Sequence, residues 1–430
     1  IRKYTIMSNL LDKASIILTP TAYNNGEALC VKPSDGSGDF DFSRNSAATR
    51  VNAQGLVENV QILSSNLVQN GDFSEEGVQE VSNGSFSQEG SEEITNGDFA
   101  TDSDWNKGTG WTISGGSANC DGTNSPLDQF SVTTIGKTYK VDITVSDMTT
   151  ASVTIRLGTS SSDIIGSIIA NGTYTFYGTV ASNTTFRIRS SAGFNGSIDN
   201  VSVREVGQDW NLGSGWSIAE DKAISDGTSG NNVLQQTIFS GSELGNYFKV
   251  QYEILSYTSG TLLLRSTGFH GAIAIDNSVG VHTLYLEATS TSTDLVFVTE
   301  AAGFIGSITN ISVKEVGQNW VLDANWSIAE NKAVSDGSVN GFIRTSTNLF
   351  ESGKTYKVGM TVSNMTTGRI TYPYDGGGGT YVYTNGDFSQ TYYADDTNRC
   401  WIYGSNGFDG SITNISVIEI TDDTNLPRIN

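Results

Sequence analysis

Gly193–Val203 reads GFNGSIDNVSV, Gly303–Val313 reads GFIGSITNISV and Gly407–Val417 reads GFDGSITNISV. Phe194, Phe304 and Phe408 stand 110 and 104 residues apart. A solenoid unit is only about 20–50 residues long, so a period of this size is a whole domain. Working outward, each copy is preceded by two tryptophans six residues apart: Trp105 and Trp111, Trp210 and Trp216, Trp320 and Trp326. A turn follows each pair, at Asp121, Ser225 and Ser335. GKTYKVDITVSDMTT from Gly136 then returns as GKTYKVGMTVSNMTT from Gly353, while the second copy has diverged to GNYFKVQYEILSYTS from Gly245.

The strands alternate. In TYKVDITV, Tyr139, Val141, Ile143 and Val145 share one face, and Lys140, Asp142 and Thr144 take the other. Half-buried strands between Gly and Asn turns, with 48 Gly, only 5 Pro and no sustained helical period, predict an all-β chain. The fold expected is three tandem antiparallel β-sandwich modules after a short N-terminal β-containing segment. Period-two patterning alone leaves jelly-roll and immunoglobulin-like topologies both open. The expected boundaries are an N-terminal segment at 1–66 and an acidic, Gly-rich repetitive linker at 67–93. Modules follow at 94–206, 207–316 and 317–420, and then a tail at 421–430. NGDFS recurs at Asn385, at the position that Asn171 holds in the first module.

Charge and composition restrict function. A net charge of −22 excludes the basic stripe that nucleic acid needs and opposes anionic membrane surfaces. No apolar run is long enough to span a bilayer. Cys30, Cys120 and Cys400 are odd in number and far apart, so they read as buried free thiols. The two histidines, His270 and His282, lie in the second module with no equivalents in the others, and no catalytic motif accompanies them. The chain therefore reads as a non-enzyme. Met7 is read as the native start.

With NGDF at Asn96, GW at Gly110 and Gly215, and DNVSV at Asp199, the modules resemble carbohydrate-binding jelly rolls of the family 4/9 type. The resemblance implies a jelly-roll fold, a glycan ligand and a structural calcium ion held by acidic groups. Asp98 and Asp199 are the matching positions in the first module. Thr309 and Thr413 replace Asp199 in the later copies, so calcium is expected in the first module alone. No other cofactor is expected.

FSRNSAATRVNAQGLVE, Phe42 to Glu58, is similar to a segment of bacteriophage tail-fibre and virion structural proteins, where a piece like NLPRI follows. Here NLPRIN stands at Asn425 to Asn430. This resemblance implies that the modules are inserted within that segment and that the native chain continues past Asn430. It also implies that residues 1–66 contact other virion proteins, and that the chain is a homo-oligomer, with a trimer among the options, on the surface of an extracellular particle.

A glycan site on a sandwich needs aromatics on the outward side of its strands. Across equivalent positions of the modules, the inward pair Phe186/Ile188 becomes Val296/Val298 and then Cys400/Ile402. The outward pair Arg187/Arg189 becomes Phe297/Thr299 and then Trp401/Tyr403. Tyr372, Tyr374, Tyr381 and Tyr383 gather on neighbouring strands of the third module. These aromatics, with Phe297, are the candidate carbohydrate-binding residues. The competing readings are a structural spacer or capsid decoration, whose aromatics pack against a neighbour, and the binding portion of a polysaccharide depolymerase with its catalytic domain beyond Asn430.

Overall fold

The computed structural model describes residues 62–421, apart from 231, 267–270 and 375–377, together with the backbone of short strands between Ile17 and Asn59. The role expected for 1–66 in particle attachment and the tail at 422–430 lie outside what these residues show. Within 42–58, Thr49–Val51 pairs antiparallel with Val57–Asn59. The described elements are antiparallel strands, joined by one 3-10 turn at Ser161–Asp163. They separate into two compact units, one of Ile1–Glu75 with Gly317–Asn430 and one of Glu76–Val316.

The first repeat is a jelly-roll-like pair of sheets. One sheet runs in the order Trp111–Ser114, Ser117–Asp121, Asn195–Val206, Thr138–Ser146, Gly172–Thr179. The other runs Ile164–Ile168, Val153–Leu157, Phe186–Ser190, Pro126–Gln129, Asn106–Lys107. Alternation does what the pattern predicts. Tyr139, Val141, Ile143 and Val145 meet Val153, Ile155, Phe186 and Ile188 in one core. In the second and third repeats the corresponding strands run on without a break, as Tyr247–Ser266 with Asp294–Val316 and Thr355–Tyr372 with Trp401–Thr421. Register shifts between Gln251 and Leu262, and between Gly359 and Arg369, let these long strands serve both layers. Asn171 and Asn385 do equivalent work: each Oδ1 accepts a backbone N–H, from Met148 and Met365 respectively, at 2.8 Å.

The stretch 67–93 is not a linker. It carries NLVQNGDF at Asn66, QEVSNGSF at Gln79 and EEITNGDF at Glu92, each 13 residues after the last. Each phrase ends a short strand that completes a different repeat. Glu89–Glu92 pairs with Asn195–Val206 of the first repeat, Glu76–Gln79 with Asp294–Val316 of the second, and Ile62–Asn66 with Trp401–Thr421 of the third. The expected tandem array is therefore nested. The first repeat lies between the opening strand and the body of the second, and the second lies likewise within the third. Ile62 and Thr421, the two ends of the array, are paired neighbours.

The same contacts recur at all three closures. The residue opening each phrase takes a backbone N–H through its side chain: Glu92 from Val203 at 2.7 Å, Gln79 from Val313 at 2.8 Å and Asn66 from Val417 at 2.9 Å. The glycine carbonyls of Gly97, Gly84 and Gly71 accept from Val201, Ile311 and Ile415 at 2.9, 2.9 and 2.8 Å. The indole Nε1 of Trp105, Trp210 and Trp320 donates to the carbonyls of Asn96, Asn83 and Asn70 at 3.0 Å in each case. Phe99, Phe86 and Phe73, all 1% exposed, lie against those indoles with ring centroids 5.0, 5.2 and 5.3 Å away. The second tryptophan of each pair packs instead on the phenylalanine of the Gly-Phe turn: Trp111 on Phe194, Trp216 on Phe304, Trp326 on Phe408.

Burying each phenylalanine contributes roughly 1.5–3 kcal/mol. The ion pairs beside it, Lys140–Glu89, Lys249–Glu76 and Lys314–Glu76, are partly exposed and worth about 0–1 kcal/mol each. Apolar burial therefore supplies the strength. Charge supplies discrimination, because Leu63 stands where the other phrases have Glu76 and Glu89, and it pairs with Ile420 rather than meeting a lysine.

Only glycine fits the clasp. A Cβ on Gly71, Gly84 or Gly97 would lie 2.1, 1.9 or 2.0 Å from the carbonyl oxygen of Ile415, Ile311 or Val201. Gly84→Ala is expected to destabilise the second repeat by about 1–3 kcal/mol through overpacking. Calorimetry of the whole chain should show one component of the melt lowered and the remainder unmoved. Uniform lowering of every component would contradict separate closures.

The closures also predict a pH response. Burial, and then the carboxylates around them, raise the pKa of Glu80 (Glu243), of Glu93 (Glu205, Glu92) and of Glu315 (Glu80, Glu243) above the ordinary 4.5. The folded chain thus binds protons at higher pH than the unfolded one, and stability rises as pH falls from neutral toward about 5. Glu76 works in the opposite sense. Hydrogen bonds from Lys249 and Lys314 lower its pKa, so its contribution is full above 4.5 and is lost as pH falls through its lowered value. The melting temperature should therefore be higher at about pH 5 than at pH 7 and fall again in stronger acid. A midpoint that only declines below pH 7 would overturn this.

Candidate functional site

The outer sheet of the third repeat carries the aromatic cluster. Strand Gly341–Thr345 buries Gly341, Ile343 and Thr345 and turns Phe342 and Arg344 outward. Its neighbour buries Cys400 and Ile402 and turns Trp401 and Tyr403 outward. The register sets Phe342 opposite Tyr403 and Arg344 opposite Trp401. Tyr403 lies opposite Thr371, which lies opposite Tyr381. Tyr374 joins by donating its backbone N–H to the Trp401 carbonyl at 2.9 Å.

The rings form one connected surface. Phe342 stacks on Tyr403 with centroids 4.4 Å apart and meets Trp401 edge-on at 5.2 Å. Tyr374 touches both Phe342 and Tyr403 at 5.1 Å. Trp401 Nε1 donates to Asn398 Oδ1 at 3.1 Å, which fixes the indole plane. The Arg344 guanidinium sits 4.7 Å from the Trp401 ring centre and is held from behind by Asp323 at 3.2 Å. Asp323 also accepts the Phe342 backbone N–H at 2.9 Å, so one carboxylate sets both the strand and its arginine. Farther along the sheet, Arg369 lies 4.3 Å over Tyr381 and donates to Ser405 Oγ at 3.1 Å. Tyr381 and Tyr383 are 48% and 59% exposed. The arrangement offers aromatic faces, phenol hydroxyls and two fixed guanidiniums on one side of a sheet. This combination can stack on the C–H face of a sugar ring and bond its hydroxyls.

Two candidates are corrected. Tyr372 is 1% exposed and belongs to the core beside Ile370, two residues away on the same strand face, and burial raises its pKa. Phe297 is likewise fully buried in the core of the second repeat, packed edge-on against Tyr252. The inward pair there is Leu295 and Phe297, not Val296 and Val298. The second repeat carries one more residue between its buried strand end, Thr299, and Phe304 than the first carries between Ser190 and Phe194. With a period of two, one extra residue moves every side chain to the other face. Val296 and Val298 take the other face, opposite Gln235 and Val233 in the register, and Val298 is itself only 2% exposed. Conversely, Phe342, Arg344, Arg369 and Asp323 escaped notice, though the alternation in GFIRT from Gly341 marks Phe342 and Arg344 as outward.

Asp98 lies in the Asn-Gly-Asp-Phe turn and Asp199 within the strand Asn195–Val206, and each carboxylate bonds nearby backbone. Asp98 Oδ1 accepts the Ala100 N–H at 3.3 Å and Asp199 Oδ1 that of Asn200 at 2.6 Å. Beside them Asn96 Nδ2 donates to the carbonyls of Thr101 and Ser103 at 2.7 and 3.0 Å, so an amide takes oxygens that calcium would need. Among the described residues no three metal-ligating side chains gather. Cys120 and Cys400 are buried and free, and burial pushes the Cys400 thiol up to about 12.

No protein-family model matches the chain, and no curated protein does. Among solved structures, a chain from the triple jelly roll fold and turret assembly of an archaeal virus aligns at 17% identity over 74% of this chain and 89% of its own, with a TM-score of 0.17. A chain from the atomic structure of Sulfolobus Turreted Icosahedral Virus aligns at 17% identity over 74% and 90%, with a TM-score of 0.16.

Proposed function

We propose that this chain is a virion fibre or appendage protein whose outer sheet on the third repeat binds glycans of a host surface or of the surroundings. The observation that carries the reading is the continuous half-exposed platform of Phe342, Tyr374, Trp401 and Tyr403, flanked by Arg344 and Arg369. Its rigidity supports binding: Asn398 and Asp323 orient the indole and the guanidinium in advance, which lowers the ordering cost of association. The virion assignment draws on the phage-like phrase at 42–58 and on the paired ends of the array. With Ile62 and Thr421 adjacent, the array inserts into a host segment without separating that segment's ends.

A specific observation favours the spacer reading. The equivalent outward pair is Arg187/Arg189 in the first repeat and Val296/Val298 in the second, so no single sugar site is shared. The test is a glycan array with the whole chain beside its Trp401→Ala, Tyr403→Ala variant. A fragment beginning at Gly317 would lack its opening strand Ile62–Asn66. The proposal expects at least one glycan bound by the parent and lost at least tenfold by the variant, with the melting temperature kept within a few degrees. A folded parent that binds nothing would leave the aromatics as packing surface and the chain as a spacer.

A further inference from the structure

The outer sheet of the first repeat has the same place in its fold as the aromatic platform but a different chemistry. One register row across it reads Ile164, Arg156, Arg187, Asp128, Asn106. The next reads Ser167, Thr154, Arg189, Pro126. Three guanidiniums thus share one sheet face in a chain of net charge −22. Arg187 is satisfied: its Nε and Nη2 each lie 2.8 Å from an oxygen of Asp128, in the two-pronged geometry guanidinium makes with carboxylate. Arg156 and Arg189 are not neutralised in this way. Arg156 donates to Thr154 Oγ1 and the Ser160 carbonyl, and Arg189 to Asn124 Oδ1, all uncharged oxygens. Among the described residues, no carboxylate lies within ion-pair distance of either. Asp163, at the end of the row, directs one oxygen to Ser160 N–H and Ser182 Oγ.

Gathering like charges costs free energy. Burial, then Arg189 and Arg187, depress the pKa of Arg156, and the weaker attraction of Asp163 does not offset them. Nothing in the fold requires Arg187 and Arg189 there, because the second repeat builds the same strand with Val296 and Val298 on that face. The other neighbouring side chains carry no charge: Thr154, Ser167, Asn106 and Asn124 are polar, and Ile164 and Pro126 are apolar.

We infer that this face binds an acidic polysaccharide, with Arg156 and Arg189 each taking a uronate carboxylate as Arg187 takes Asp128, and the surrounding hydroxyls and amides taking sugar hydroxyls. Charge complementarity selects an anion. The hydroxyls and amides beside the arginines, Thr154 and Asn124 among them, select a carboxylated sugar over a nucleic acid. The inference concerns a different sheet from the aromatic platform and stands whether or not that platform binds.

The experiment is biolayer interferometry of the whole chain on immobilised alginate, with neutral dextran and single-stranded DNA as parallel probes, at low and physiological salt. Alginate binding that weakens with salt is expected, with little on dextran or DNA. Arg156→Gln with Arg189→Gln should reduce it at least tenfold, and Trp401→Ala, Tyr403→Ala should leave it unchanged. Should the double variant fail to fold, Thr154→Glu serves, because it keeps both arginines and gives them an internal carboxylate; it too should abolish binding. No alginate binding by the parent, alginate binding untouched in these first-repeat variants, or equal binding of DNA would each overturn the inference.

Discussion

Each sandwich in this chain depends on one close approach, that of an Asn-Gly backbone to the carbonyl of a residue just inside the last strand. The glycine's missing side chain lets Gly97, Gly84 and Gly71 lie against Val201, Ile311 and Ile415. That approach brings the preceding asparagine carbonyl under a tryptophan Nε1, and it buries the following phenylalanine against the same indole. Backbone hydrogen bonds alone would leave an edge strand of four or five residues marginal. The aromatic pair anchors it, and it covers the free edge near the end of the last strand, otherwise a template for aggregation.

The alternation of TYKVDITV and the recurrence of the tryptophan pairs follow directly from the repeated phrases, and Trp401 and Tyr403 read as outward because Cys400 stands as far before Phe408 as Phe186 does before Phe194. The opening strands were not legible as strands. EGVQ and EGSE have neither β-branched enrichment nor alternation, and their exposure pattern shows most of each facing solvent. Their partners lie more than a hundred residues away, beyond any local pattern. The available signal was arithmetic: three copies of an Asn-Gly-x-Phe phrase upstream, and three copies of the strand that needs one. Phe297 failed for a different reason, since one residue inserted ahead of a Gly-Phe turn inverts a whole strand and leaves composition unchanged.

With the clasp and core fixed by tryptophan, phenylalanine and glycine, the outer sheets are free to vary. Across the same two positions the repeats carry arginines, valines and then tryptophan with tyrosine. None of these disturbs the inward residues beneath them, which remain apolar in every copy: Phe186 and Ile188, Leu295 and Phe297, Cys400 and Ile402. A nested set of equal sandwiches thus becomes a set of unequal surfaces, which is the condition for contacting more than one chemistry at once and for gaining avidity when two are engaged.

Nesting also answers how three similar strands find three similar partners. Asn96 lies nine residues from Trp105, whereas Asn83 lies 22 away, a difference worth about 0.8 kcal/mol in loop closure in favour of the nearer phrase. Once the first repeat has closed, Glu89 is paired with Val206, so residues 88 and 207 leave it side by side. Asn83 and Trp210 then start from a common point and form the next closure as locally as the first was formed. The pairing of Glu76 with Val316 repeats the step for Asn70 and Trp320. Each closure prepares the next, and synthesis from the N-terminus supplies the repeats in the order this needs. A slip of 13 residues would give one repeat the wrong phrase and leave the third without any. It would also set Leu63 where Glu76 meets Lys249 and Lys314, exchanging two ion pairs for an exposed leucine. The entropy of short loops and the charges of the strands therefore favour the same assignment, and the local choice agrees with the global fold.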